Sequence, residues 1–297
     1  MRRFIAIVLV IGAMASAGSA AASELLRQTL ASAALQRDMP YLVYLPDDYQ
    51  AGNHHYPVLY LLHGAGGDEN VWTDRAGIQE RTDRLIASGE IPPAIIIMPG
   101  CQGCWWVDGA KDKAETAFWS ELVPAVDQRL RTLATKSGRL IAGVSAGGYG
   151  AVRFALKYPE RVGAVAALSP AVYAVTPPAR SSARRDPPFL RADGQFNQAL
   201  WAAENYPRLA QRYFEQPGRV PFYLVSGNRD ELGIAFETTQ LFNTIAEWQP
   251  ELTQVRIVDG RHDWNVWNET LDDAMKFVFR VVPRSHASTL TSVSPLR

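Results

Sequence analysis

Three residue types that together turn a hydroxyl into a nucleophile are spread along this chain: a serine at Ser145, a carboxylate at Asp230 and an imidazole at His262. Ser145 sits in Gly143-Val144-Ser145-Ala146-Gly147, where the apolar run 139–142 gives way to helical spacing over 149–156. A serine in a sharp strand-to-helix turn is held out above the sheet edge. The flanking glycines lack the Cβ atoms that would collide with the neighbouring strand and helix. A hydroxyl is a poor nucleophile near neutral pH, so it needs a base within hydrogen-bond reach and a third group to orient that base. The chemistry implied is acyl transfer through Ser145.

The chain has five histidines, and elimination selects the base. His54 and His55 precede a strand in a polar loop, His286 lies in the tail, and His63 sits in a glycine-rich turn. His262 follows the last expected strand, in Val258-Asp259-Gly260-Arg261-His262-Asp263-Trp264. In the chain order that accompanies such an elbow, the acid falls between nucleophile and histidine. Asp230 closes Ser226-Gly227-Asn228-Arg229-Asp230 directly after the apolar run 222–225, with Glu231 as the competing carboxylate. Asp263 is adjacent to His262 and badly placed to grip its Nδ1–H. The carboxylate would fix the tautomer of the ring and stabilise the imidazolium. Negative charge on the former carbonyl oxygen calls for two N–H donors. Ala146 supplies one, and Ala65 in His63-Gly64-Ala65-Gly66-Gly67 is expected to supply the other.

These loops need a scaffold that brings distant segments to one edge. Apolar runs at 41–45, 57–62, 94–98, 139–142, 165–168, 222–225 and 255–258 read as strands, separated by helical or irregular sequence. Alternation of this kind predicts an α/β fold with a mostly parallel sheet and helices on both faces, with its site at the carboxyl ends of the strands. One helix is expected over 115–133. Residues 174–207, with Pro177-Pro178, Pro187-Pro188 and arginines at 180, 184, 185 and 191, read as an irregular insertion. Those arginines suit a solvated loop or recognition of an anion.

The 297 residues are 47% hydrophobic and 20% charged, enough for one catalytic domain over 23–284. Thirty basic residues cancel 30 acidic ones, so no field draws polyanions, and nucleic acid is not an expected partner. Arg2-Arg3, the apolar run 4–11 and small residues up to Ala22 predict a cleaved signal peptide over 1–22, hence a secreted or periplasmic protein. The run is too short for a stable membrane anchor. Residues 285–297 read as a disordered tail. An exported chain favours a small structural disulfide between Cys101 and Cys104.

Four ordered motifs carry a family resemblance: Leu61-Leu62-His63-Gly64-Ala65-Gly66-Gly67-Asp68-Glu69-Asn70-Val71-Trp72, Gly143 to Ala151, Gly227-Asn228-Arg229-Asp230, and Gly260-Arg261-His262-Asp263-Trp264. Together they resemble the esterase D family of α/β-hydrolases, which includes feruloyl and acetyl-xylan esterases, siderophore esterases, formylglutathione hydrolases and mycolyltransferases. The resemblance spans roughly 41–282. It implies an α/β-hydrolase fold, a triad of Ser145, Asp230 and His262, an oxyanion hole from Ala65 and Ala146, and Trp105-Trp106 lining an acyl pocket. Gly64, Trp72 and Trp264 join these two as expected substrate contacts, since indoles grip aromatic or sugar rings. Ala146 stands where many members carry Met, and the paired cysteines are not a general family feature. The expectation is a secreted serine carboxylesterase acting on small or carbohydrate-linked esters, with no cofactor and no metal. Transfer to an alcohol, as in mycolyltransferases, and a non-catalytic binder on the same scaffold are the alternatives.

Overall fold

Aliphatic runs without alternation become strands covered on both faces. In the computed structural model, which describes residues 22–110 and 112–283, they form one sheet. Its strands are β1 (Glu24–Ser32), β2 (Arg37–Leu45), β3 (Val58–Leu62), β4 (Ile95–Pro99), β5 (Arg139–Val144), β6 (Ala164–Leu168), β7 (Phe222–Gly227) and β8 (Thr253–Val258). The order across the sheet is β1-β2-β4-β3-β5-β6-β7-β8. β3 to β8 run parallel, and the β1–β2 hairpin joins antiparallel to β4.

The helices are α1 (Val71–Ala76), α2 (Ile78–Ala87), α3 (Ala114–Thr116), α4 (Val123–Arg129), α5 (Ala146–Lys157), α6 (Gln198–Ala203), α7 (Tyr206–Phe214), α8 (Ile234–Ala246) and α9 (Trp264–Phe279). Alternate residues of each central strand enter opposite cores. Leu59, Leu61, Ile96, Met98, Leu140 and Ala142 meet α1, α2 and α9. Val58, Tyr60, Leu62, Ile95, Ile97 and Ile141 meet α3 to α8 and the intervening loops. This is the expected α/β-hydrolase architecture.

The structure departs from the sequence reading in three places. β1 pairs along its whole length with β2, yet its residues alternate only weakly, because an edge strand is held by its backbone pairing more than by burial. The expected helix over 115–133 is broken into α3, a π-helical stretch Ala117–Leu122 and α4, and Leu130 is extended. Pro124 has no N–H for the Ser120 carbonyl, so a regular ladder cannot run through that turn. The insertion at 174–207 is more ordered than expected: it contains α6, starts α7, and fully buries Phe189 and Trp201. The expected signal peptide, apart from Ala22, and the expected tail lie outside the described residues. No described helix is long and apolar enough to cross a membrane.

Candidate active site

The turn after β5 explains why its glycines are needed. Ser145 has φ 54° and ψ −114°, a conformation an L residue adopts only under tertiary constraint. Its N–H donates to Leu168 O at 2.9 Å, and its carbonyl accepts from Tyr149 N at 2.9 Å and Ala171 N at 3.1 Å. A Cβ on Gly147 would run into the Leu62 carbonyl, and one on Gly143 into the backbone of Gly147. β3 and α5 can therefore close on the elbow only if both positions stay bare.

Three loops converge there. His262 Nε2 lies 2.8 Å from Ser145 Oγ, and His262 Nδ1 lies 2.7 Å from Asp230 Oδ2. Asp230 Oδ1 accepts from Leu232 N at 2.9 Å, and its side chain is fully shielded from solvent. A carboxylate at Nδ1 takes that N–H and leaves Nε2 as an acceptor for the serine proton. The indole of Trp267 meets the His262 ring edge-on, with centroids 5.2 Å apart. The Asp230 and His262 loops are laced together: Asn228 N donates to Val258 O and Arg229 N to Gly260 O, both at 2.8 Å, and Gly260 N to Asn228 Oδ1 at 3.1 Å. Glu231, the competing carboxylate, is exposed. Asp263 caps α9, accepting from Asn265 N and Val266 N at 3.0 and 3.4 Å.

Gly64 backs directly onto the elbow, where an added Cβ would sit 3.3 Å from Ser145 Cβ. The N–H of Ala146 is the first of α5 and has no intrahelical carbonyl to meet. Ala65 is exposed in the glycine turn beside it. His63 is wholly buried and serves that turn: Nδ1–H donates to Gly64 O at 2.8 Å and Nε2 accepts from Cys101 N at 2.9 Å. Burial lowers its pKa below the ordinary imidazole range, which keeps that acceptor neutral. Cys101 and Cys104 are joined as a disulfide, so the bridged loop rests on His63.

A cleft of about 370 Å³ opens at Ser145 and His262, walled by the 64–67 turn, Val71, Arg75, Asp263, Trp264 and Trp267. Of the expected tryptophan contacts, only Trp264 lines it. Trp72 is fully buried beneath Trp264, Trp106 is fully buried with its Nε1–H on His63 O at 3.0 Å, and Trp105 donates to Asp186 at 2.6 Å. Indoles beside a motif can grip a ligand or pack, and here Trp72, Trp105 and Trp106 pack the core that carries the loops.

A buried ionic cluster was not foreseen. Arg153, on α5 and with no exposed surface, pairs with Glu115 at 2.7 Å and with Glu204, and donates to Trp106 O at 2.7 Å. Lys157 reaches the same two carboxylates at 2.7 and 3.0 Å. Burial alone would raise the Glu115 pKa, but Arg153, Lys157 and the Tyr158 hydroxyl outweigh it and hold the group at about 2. Its sequence signal was a lone arginine inside an otherwise apolar, glycine-rich helix.

Comparison with known proteins places these loops in context. A family model described as "Putative esterase" matches residues 32–278. The chain is 38% identical over 123 residues to Esterase Rv1288 of Mycobacterium tuberculosis (strain ATCC 25618 / H37Rv), a match covering 39% of this chain and 25% of that protein. It therefore spans about a quarter of that longer relative. An acetyl esterase of Caldicellulosiruptor saccharolyticus is 24% identical over 240 residues, covering 75% of this chain and 83% of that protein. A solved ferulic acid esterase superposes with a TM-score of 0.71 at 26% identity, covering 88% of this chain and 99% of that one. An S-formylglutathione hydrolase from Agrobacterium tumefaciens shares the fold, with a TM-score of 0.71 at 19% identity and coverage of 90% and 98%.

Proposed function

Because the chain belongs to the Putative esterase family, we propose that it is a serine hydrolase of carboxylic esters that works through an acyl-enzyme on Ser145. The observation that carries this reading is the unbroken hydrogen-bond chain from Ser145 Oγ through His262 to Asp230, at 2.8 and 2.7 Å. Ser145 Oγ adds to the ester carbonyl as His262 Nε2 takes its proton. Asp230 stays ionised and holds the imidazolium that results. The N–H groups of Ala146 and Ala65 receive the developing oxyanion, a term worth about 3 to 4 kcal/mol per donor in comparable sites. His262 then returns the proton to the leaving alcohol, and water, activated by the same imidazole, releases the acid.

The substrates proposed are small or carbohydrate-linked esters. The indoles of Trp264 and Trp267 that line the cleft support this class, as does the likeness to a ferulic acid esterase. Export with removal of residues 1–22 belongs to the same proposal and rests on the charged, apolar and small-residue order of the N-terminus.

A fluorophosphonate probe followed by peptide mass spectrometry is expected to label Ser145. Ser145→Ala is expected to reduce turnover of para-nitrophenyl acetate at least about a thousandfold. A folded protein that is neither labelled nor active on a panel of acetyl, feruloyl and longer acyl esters would end this reading.

A further inference from the structure

Among the described residues that line the cleft beside Ser145, one arginine has no ionic partner. Arg75, on the exposed face of α1, lines the cleft together with Val71, Trp264 and Trp267. Its backbone carbonyl accepts from Asn268 Nδ2 at 2.9 Å, but its guanidinium makes no ion pair or hydrogen bond with any other described residue. Its Cζ stands 6.0 Å from the Trp264 ring centroid, at the outer limit of a cation–π contact. Arg27 pairs with Glu69 and Arg81 and Arg84 share Asp272, while Arg261, exposed beside His262, does not line the cleft. The acid in the cleft wall, Asp263, is committed to capping α9.

The insertion arginines do not take this role. Arg191 pairs with Asp193, Arg184 lies over the Phe196 ring at 4.7 Å, and Arg185 donates to Ala179 O at 3.2 Å. None of the four insertion arginines lines the cleft. If the protein reads a negative charge on its substrate, Arg75 is the group that faces it.

We propose that Arg75 is a specificity-determining residue that selects esters carrying an oxyanion, such as a carboxylate, on the part of the molecule lying in this cleft. This rests on the esterase reading above and names its substrate class more narrowly. The guanidinium fork suits a carboxylate held through two parallel N–H bonds. The indoles of Trp264 and Trp267, which line the cleft together with Arg75 and Ser145, suit a ring that separates the anion from the ester bond. The substrate class is then an acidic aromatic or acidic sugar ester, with its charged end at the cleft rim and its carbonyl at the elbow.

Two pairs of esters test this, each exchanging a carboxylate for a neutral group near the reacting bond, with the charged-to-neutral ratio compared between the wild-type protein and its variants. Para-acetoxybenzoate and its methyl ester place the anion on the leaving side. Para-nitrophenyl hemisuccinate and para-nitrophenyl butyrate place it on the acyl side. For the pair whose geometry matches the cleft, the wild-type protein is expected to favour the charged member in kcat/KM. Arg75→Gln should reduce that charged-to-neutral ratio about fivefold, the scale of a solvent-accessible charge pair. Arg75→Glu should lower the ratio further, and Arg75→Lys should retain most of it. A purely structural role for Arg75 would change both members of a pair equally and leave the ratio fixed. The proposal is overturned if no wild-type ratio exceeds unity, or if the preference survives in Arg75→Gln and Arg75→Glu. Hydrolysis of the neutral esters alone would retain the esterase reading and remove this one. If no ester is hydrolysed, calorimetric titration of para-acetoxybenzoate and its methyl ester decides: binding of the anion that Arg75→Gln weakens supports charge recognition without esterase activity, and equal binding of both compounds overturns it.

Discussion

At the scale of single residues, the choice of acid makes the sharpest prediction. Asp230 is shielded and holds both His262 Nδ1 and Leu232 N, whereas its neighbour Glu231 faces solvent. Asp230→Asn presents an amide where the imidazole needs an acceptor of fixed orientation, and loses the charge that steadies the imidazolium. Its kcat is expected to fall about ten-thousandfold, as in other hydroxyl–imidazole–carboxylate systems. Glu231→Gln should remain within about twofold, since surface substitutions away from special features have small effects. Parallel steady-state kinetics on the two variants check this, and a greater loss in Glu231→Gln would reverse the assignment.

At the scale of elements, the elbow helix does more than present a serine. Through Arg153, α5 gathers the start of α3 at Glu115, the Trp106 loop and the end of α6 at Glu204. Arg153→Met leaves the buried Glu115 and the partly exposed Glu204 without their central cation, with Lys157 as the remaining partner. It is expected to cost about 3 to 5 kcal/mol in a denaturant titration, the penalty for orphaning a buried charge. The loops after β3, β5, β7 and β8 were legible in the sequence because glycines and polar residues punctuate apolar runs there. The convergence of Ser145, Asp230 and His262 was inferable from their places just beyond apolar runs together with chain order, which left Glu231 as a competitor. β1 was not, because a pairing edge leaves little hydrophobic rhythm, and neither was the break in the 115–133 helix, which depends on a backbone donor missing at Pro124. The tryptophans stayed open for a related reason: sequence shows that Trp72, Trp105 and Trp106 lie near motifs, but not whether an indole faces the cleft or the core beneath it.

At the scale of the whole molecule, equal numbers of acids and bases make stability sensitive to which carboxylates resist protonation. Glu115 is held at about 2 against an ordinary 4.5, a lowered value, so its contribution is complete above about pH 4.5 and is lost as the pH falls toward 2. Glu204 and Asp272 are shifted in the same direction, burial working against each and arginine partners prevailing. Denaturation midpoints measured across that acid range should fall steeply for the wild-type chain and less steeply for Glu115→Gln, and parallel profiles would contradict this account. One last consequence concerns the lacing of the two loops beyond β7 and β8. Backbone and side-chain hydrogen bonds, the Arg229–Asp259 ion pair among them, stitch the Asp230 and His262 segments to each other, whereas a single rotatable hydroxyl joins the imidazole to the elbow. The proton relay therefore has one seam, and swinging the Ser145 hydroxyl aside disengages the nucleophile while the imidazole–carboxylate couple stays cocked for its return.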